Sequence, residues 1–111
     1  MPSVITEGLR LCIQPTGQPP GAVLRCSGEI DLSNVDFLRQ ALDSSIHLRV
    51  PEVEVDLREV TFLDSSGIEV LVAACHEMAS QGCTLSVRAG AWIAHLLRLV
   101  KLDCSLKLCV D

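Results

Sequence analysis

Two hydrophobic periodicities take turns along this chain, and that alternation limits what it can fold into. Leu9, Leu11 and Ile13 alternate with Arg10, Cys12 and Gln14, and Val53, Val55 and Leu57 alternate with Glu54, Asp56 and Arg58. A period of two is that of a strand with one buried face. The segment Ala22-Val23-Leu24-Arg25-Cys26 is short and apolar and reads as a further strand, closed by Gly28. Thr84 to Arg88 and Leu106 to Val110 alternate in the same way. Between them, Val35, Leu38, Leu42 and Ile46 recur at helical spacing, as do Ile68, Leu71, Val72, Cys75 and Met78, and Ala91 to Leu99 forms a third, shorter helix. Ser33 reads as the N-cap of the first helix, Pro51 ends that region, and Gly82 stands as the residue just past the second. The order is β-β-α-β-α-β-α-β. Helices between strands call for a mixed, mainly parallel sheet of about five strands, its first pair an antiparallel hairpin.

The hairpin connection is the stretch Pro15-Thr16-Gly17-Gln18-Pro19-Pro20-Gly21. Its three prolines and two glycines mark a long loop. With 111 residues the whole chain, 1–111, is expected to be one domain. Aromatics are scarce, two Phe, one Trp and no Tyr, so the core must be aliphatic. Trp92 is expected to be partly buried, to supply bulk. The scarcity also argues against a stacking platform for single-stranded nucleic acid. A net charge of −5 argues against binding a phosphate backbone, so no nucleic-acid partner is expected.

Nothing at the N-terminus resembles an export signal, and no apolar run is long enough to span a membrane. The expectation is a cytoplasmic protein without membrane insertion, whose six cysteines stay reduced as small buried hydrophobes. No cysteine pair has CxxC spacing, and His47, His76 and His95 stand in helices without ligand spacing, so no metal or other cofactor is expected. A hydrolase reading of Ser65 lacks the Gly-x-Ser-x-Gly elbow, and catalysis by this chain is not expected.

The turn Asp64-Ser65-Ser66-Gly67 joins the third strand to the second long helix. A helix N-terminus offers unpaired N–H groups and a partial positive charge, which suit an anion. Asp, Ser and Ser are also ordinary capping residues, and Ser66 with Glu69 has capping-box spacing. Spacing alone does not separate Ser65 from Ser66.

The string from Val53 through Thr61-Phe62-Leu63-Asp64-Ser65-Ser66-Gly67 closely resembles the signature of STAS domains, and more narrowly that of bacterial anti-sigma factor antagonists (anti-anti-sigma factors). Gly28-Glu29-Ile30-Asp31 is similar to the Gly-Glu-Leu-Asp turn before that family's first helix, and the resemblance runs from about Leu9 to Val110. It implies a phosphorylation-switched binding module. By resemblance Ser65 is the phosphoacceptor, modified by an anti-sigma factor that is a serine kinase. The unphosphorylated form binds that kinase and frees a sigma factor, and a PP2C-type phosphatase resets the modified form. Asp31, Asp64, Ser66 and Gly67 flank the contact surface. Asp64 orients the acceptor hydroxyl, and Ser66 acts as a cap. The resemblance also admits a STAS-domain subunit of a membrane lipid-transport system, docking without modification. A small-ligand or nucleotide sensor at the strand–helix turns has only general support. The proline-rich loop and the number of cysteines depart from the family pattern.

Overall fold

The computed structural model describes residues 3–6, 8–17, 21–99 and 107–110. A six-stranded sheet carries three helices in the order β1 (Ser3–Thr6), β2 (Leu9–Thr16), β3 (Gly21–Ile30), α1 (Val35–His47), β4 (Glu52–Leu63), α2 (Ser65–Ser80), β5 (Thr84–Ala89), α3 (Ala91–Leu99) and β6 (Lys107–Val110). The strands lie in the sheet in their sequence order. β1, β2 and β3 pair antiparallel, and β3 through β6 pair parallel. The expected mixed sheet is therefore present, with one strand more than the alternation indicated. β1 is a four-residue edge strand, too short for its period to stand out from its surroundings.

The hairpin loop is shorter than its composition suggests. Pro15 and Thr16 belong to β2, paired with Ala22 and Gly21 of β3. Pro15 lies near the strand end, where a missing N–H is tolerated more readily than in a central strand. Pro19 and Pro20 lie outside the described residues.

One face of the sheet supplies the core. Leu11, Leu24, Val53, Val55, Leu57, Leu85 and Val87 are buried there with Leu38, Leu42 and Ile46 of α1, Leu71 and Met78 of α2, and Ile93 and Leu97 of α3. The core is aliphatic throughout. Both phenylalanines stand at the surface, and Trp92 is 64% exposed, against the expectation of partial burial. The reason is local: Ile93, Ala94 and Leu97 of the same helix already fill the space beneath it.

Cys12, Cys26 and Cys83 are free, and burial, ahead of the nearby Asp56 carboxylate, pushes the Cys26 thiol far up. Cys75, buried on α2, is disulfide-bonded, which corrects the reading of six reduced thiols. Linear spacing carries no trace of such a bond, because pairing depends on which elements the fold brings together. Cys104 and the Cys109 side chain lie outside the described residues.

Two irregularities in the β3–β4 ladder set the end of the sheet. The register shifts between Arg25 and Ser27 and again between Gly28 and Glu29. Gly28 has φ +105, and a Cβ there would lie 2.2 Å from the Gly8 carbonyl oxygen, so only glycine fits. The adjacent Glu29 N–H donates to that same oxygen at 2.7 Å. After these shifts Ile30 pairs with Leu63, and β3 and β4 finish side by side.

Candidate functional site

That shared end places two connections together: 31–34 between β3 and α1, and Asp64 between β4 and α2. The Asp64 N–H donates to the Ile30 carbonyl at 3.2 Å, tying the second connection to the base of the first. Gly67 presses α2 against the same place. A Cβ on Gly67 would lie 2.4 Å from Leu63 Cδ1 and 2.9 Å from Ile30 Cγ2. The glycine therefore serves a close approach of helix to sheet.

Asp64 is the N-cap of α2, with extended backbone. Its Oδ1 accepts from the Ser66 N–H at 3.0 Å, the Gly67 N–H at 3.3 Å and the Ser66 hydroxyl at 2.5 Å. The Ser66 hydroxyl, ahead of the N–H groups of Gly67, Ser66 and Leu32, holds the Asp64 carboxyl below the usual carboxylate range. Two readings of the turn are corrected here. The cap is Asp64, not Ser66 in a box with Glu69. The Asp64 carboxylate is spent on Ser66 and the helix N–H groups, and it does not hold the Ser65 hydroxyl.

Ser65 itself is exposed, and its hydroxyl makes no hydrogen bond among the described residues. The two serines that spacing left equivalent are thus distinct: one is tied down, the other is open.

Across from them, the Asp31 carboxylate accepts from the Ser33 N–H at 2.9 Å and the Ser33 hydroxyl at 2.5 Å, closing a local turn. Asn34, not Ser33, stands at the α1 N-cap, yet its side chain makes no cap bond. It is 4% exposed and reaches back, donating Nδ2 to the Glu29 carbonyl at 2.9 Å and accepting the Asp31 N–H at 3.0 Å. This fixes the connection that carries Leu32, which is 78% exposed. Phe62, the residue before Leu63, is 48% exposed. Sequence reasoning missed Asn34 and Leu32. An Asn before a helix reads as a cap, and one leucine between Asp31 and Ser33 has no period to reveal it.

Asp31, Asp64, Ser65, Ser66 and Gly67 therefore gather at one end of the sheet, beside two exposed apolar side chains. A cleft of about 510 Å³ opens elsewhere, lined by Ile46, His47, Arg49, Glu77, Gln81 and Cys83 where α1 and α2 end. Among the described residues no group of His, Cys, Asp and Glu is placed to hold a metal ion, and no helix is long and apolar enough to cross a membrane.

An open serine on a strand-to-helix turn, displayed on the surface, defines a small α/β domain with a surface site. The family model described as Mlab, STAS domain matches residues 13–108, and the chain belongs to that family. Among solved structures, the chain is similar to an anti-sigma factor antagonist from Mycobacterium paratuberculosis, at 24% identity and TM-score 0.74, covering 93% of this chain and 88% of that one. It is also similar to the anti-sigma factor antagonist SpoIIAA in its unphosphorylated form, at 15% identity and TM-score 0.69, over 88% of this chain and 86% of that one. The phosphorylated form of SpoIIAA, described as a Bacillus cell fate determinant, matches at 16% identity and TM-score 0.68, over 91% and 92%. These likenesses establish a shared fold.

Proposed function

We propose that this chain is an anti-sigma factor antagonist, a cytoplasmic and non-catalytic module switched by phosphorylation of Ser65. The observation that carries the reading is the contrast at the turn: the Ser65 hydroxyl is exposed and makes no hydrogen bond among the described residues, while that of Ser66 is held by Asp64. A kinase must reach the hydroxyl it modifies, and of the two serines Ser65 is the more exposed while Ser66 is already bonded. The printed descriptions of SpoIIAA, an antagonist known in unphosphorylated and phosphorylated forms, support the same reading.

The unmodified domain binds an anti-sigma factor with serine kinase activity through the end of the sheet, with Leu32 and Phe62 as apolar contacts beside the turn. The kinase supplies ATP and its metal ion. The γ-phosphoryl group passes to Ser65 Oγ, its bond to ADP breaks, and the hydroxyl proton leaves to a base on the kinase or to water. The product carries up to two added negative charges and three acceptor oxygens. These charges stand at an apolar contact flanked by Asp31 and Asp64, so the complex dissociates and the sigma factor is recaptured. A PP2C-type phosphatase reverses the change.

The direct test is peptide-level mass spectrometry of the protein purified from its own cells, over the peptide holding Phe62 to Gly67. Phosphate on Ser65 in some growth conditions is expected. A peptide without phosphate in every condition, or with it on Ser66 alone, would overturn the switch.

A further inference from the structure

At the far end of α2 from Ser65, both α1 and α2 finish over the cleft of about 510 Å³. The 16 residues of α2, about 24 Å at the rise of a helix, separate this cleft from the serine turn. Its walls are preformed. The Leu48 and Arg49 N–H groups close α1 on the Ser45 and Ile46 carbonyls at 3.2 and 3.1 Å. The Cys83 N–H closes α2 on the Met78 carbonyl at 2.9 Å, and the Thr84 N–H ties the start of β5 to the Pro51 carbonyl at 2.9 Å. Ile46 is buried and Cys83 is partly buried against the core, which gives the cleft an apolar base.

The polar groups around that base are unmatched. Arg49 and Glu77 line the same cleft, yet neither side chain makes a hydrogen bond or ion pair among the described residues, and the Gln81 amide makes none either. His47 donates Nδ1 to the Asp43 carbonyl at 2.6 Å, so in the neutral ring Nε2 is left as an acceptor. The last carbonyls of both helices add partial negative charge. An anion alone would meet Glu77 here, and a cation alone would meet Arg49. We propose that this cleft binds a small zwitterion, an α-amino acid with an apolar side chain, independently of Ser65. The carboxylate takes Arg49 and the Gln81 amide, the ammonium group takes Glu77 and His47 Nε2, and the side chain lies on Ile46 and Cys83. The volume is that of an ordinary small-molecule site.

The test is an NMR titration of the ¹⁵N-labelled full chain with L-leucine up to about 20 mM, enough to saturate a site with a Kd of about 1 mM. Saturable shifts are expected to centre on residues 46–49 and 77–83. Isocaproic acid, which lacks the amine, and isoamylamine, which lacks the carboxylate, are expected to bind at least about tenfold more weakly. Arg49→Gly removes the guanidinium without threatening the fold, because Arg49 has φ 55, a conformation that glycine adopts freely. Glu77 is exposed, so Glu77→Gln is equally mild. Each variant is expected to lose at least about tenfold in affinity. The absence of a saturable shift with L-leucine in the unsubstituted protein would overturn the proposal. So would shifts centred on the Ser65 turn, single-charge analogues that bind as tightly as leucine, or an Arg49→Gly or Glu77→Gln protein that binds like the parent.

Discussion

Removing the Ser65 hydroxyl breaks no hydrogen bond among the described residues, so Ser65→Ala is expected to change stability by less than about 0.5 kcal/mol. Ser66→Ala loses the bond to Asp64 and is expected to cost about 1 kcal/mol. Asp64→Ala, which uncaps α2, is expected to cost at least as much, about 1–2 kcal/mol. Urea unfolding of the three proteins would check the order, and a Ser65→Ala protein as unstable as Ser66→Ala would refute the division of roles at the turn. A second carboxylate behaves differently. Asp56 is buried, and Arg58 clasps it through Nε at 3.0 Å and a terminal nitrogen at 2.7 Å. The Arg58 side-chain bond, outweighing the opposing effect of burial, holds its carboxyl below the usual range. A depressed folded pKa stabilises the fold above the ordinary carboxylate pKa of about 4, and that gain is lost as pH falls through the folded value. Arg58→Met is therefore expected to cost about 1–2 kcal/mol at pH 7, reduced because Arg58 is half-exposed, and progressively less as the pH is lowered and the Asp56 carboxylate takes up its proton. A loss that stays the same as the pH falls through the acid range would count against it. At this scale the sequence exposed the turn through Asp64-Ser65-Ser66-Gly67, while the difference between the serines is a matter of a single hydrogen bond and needed coordinates.

The elements themselves were largely legible, because a strand with one buried face and an amphipathic helix both write their period into the chain. β4 shows it plainly, with Val53, Val55 and Leu57 buried at every second position. Gly82 could also be read: it ends α2 with φ +74, while the Cys83 N–H reaches back to the Met78 carbonyl at 2.9 Å. What could not be read were features set by neighbours distant in sequence. The place of Asn34 depends on Glu29 and Asp31 across a turn, and the room at Gly28 depends on Gly8 across the sheet. The second of these yields a test. Gly28→Ala sets a methyl group against backbone that has nowhere to go, at a positive φ, and is expected to cost at least about 2 kcal/mol. Gly90→Ala, where a Cβ meets nothing within 4 Å, is the matched control, expected near zero by thermal or urea unfolding. Similar losses at both glycines would show the β3–β4 shifts to be less constrained than described.

At the scale of the whole molecule, the exposure of Trp92 has a simple origin. Composition favours partial burial of so large an apolar residue, but Ile93, Ala94 and Leu97 are the residues of α3 that fill the core. The lone tryptophan then becomes a surface reporter. Its emission is expected to resemble that of indole in water and to be quenched by acrylamide nearly as well as a free tryptophan derivative, whereas a blue-shifted, protected emission would show α3 packed differently. The order of the sheet has another consequence. Every strand lies beside the one that precedes it in the chain, so no strand must wait for a distant partner. The sheet grows from one edge only, in the direction of synthesis. A ribosome releasing this polypeptide would deliver each strand to an edge already laid down, and the turn that carries Ser65 would reach its place once β3, β4 and α2 had emerged, before the last third of the sheet was made.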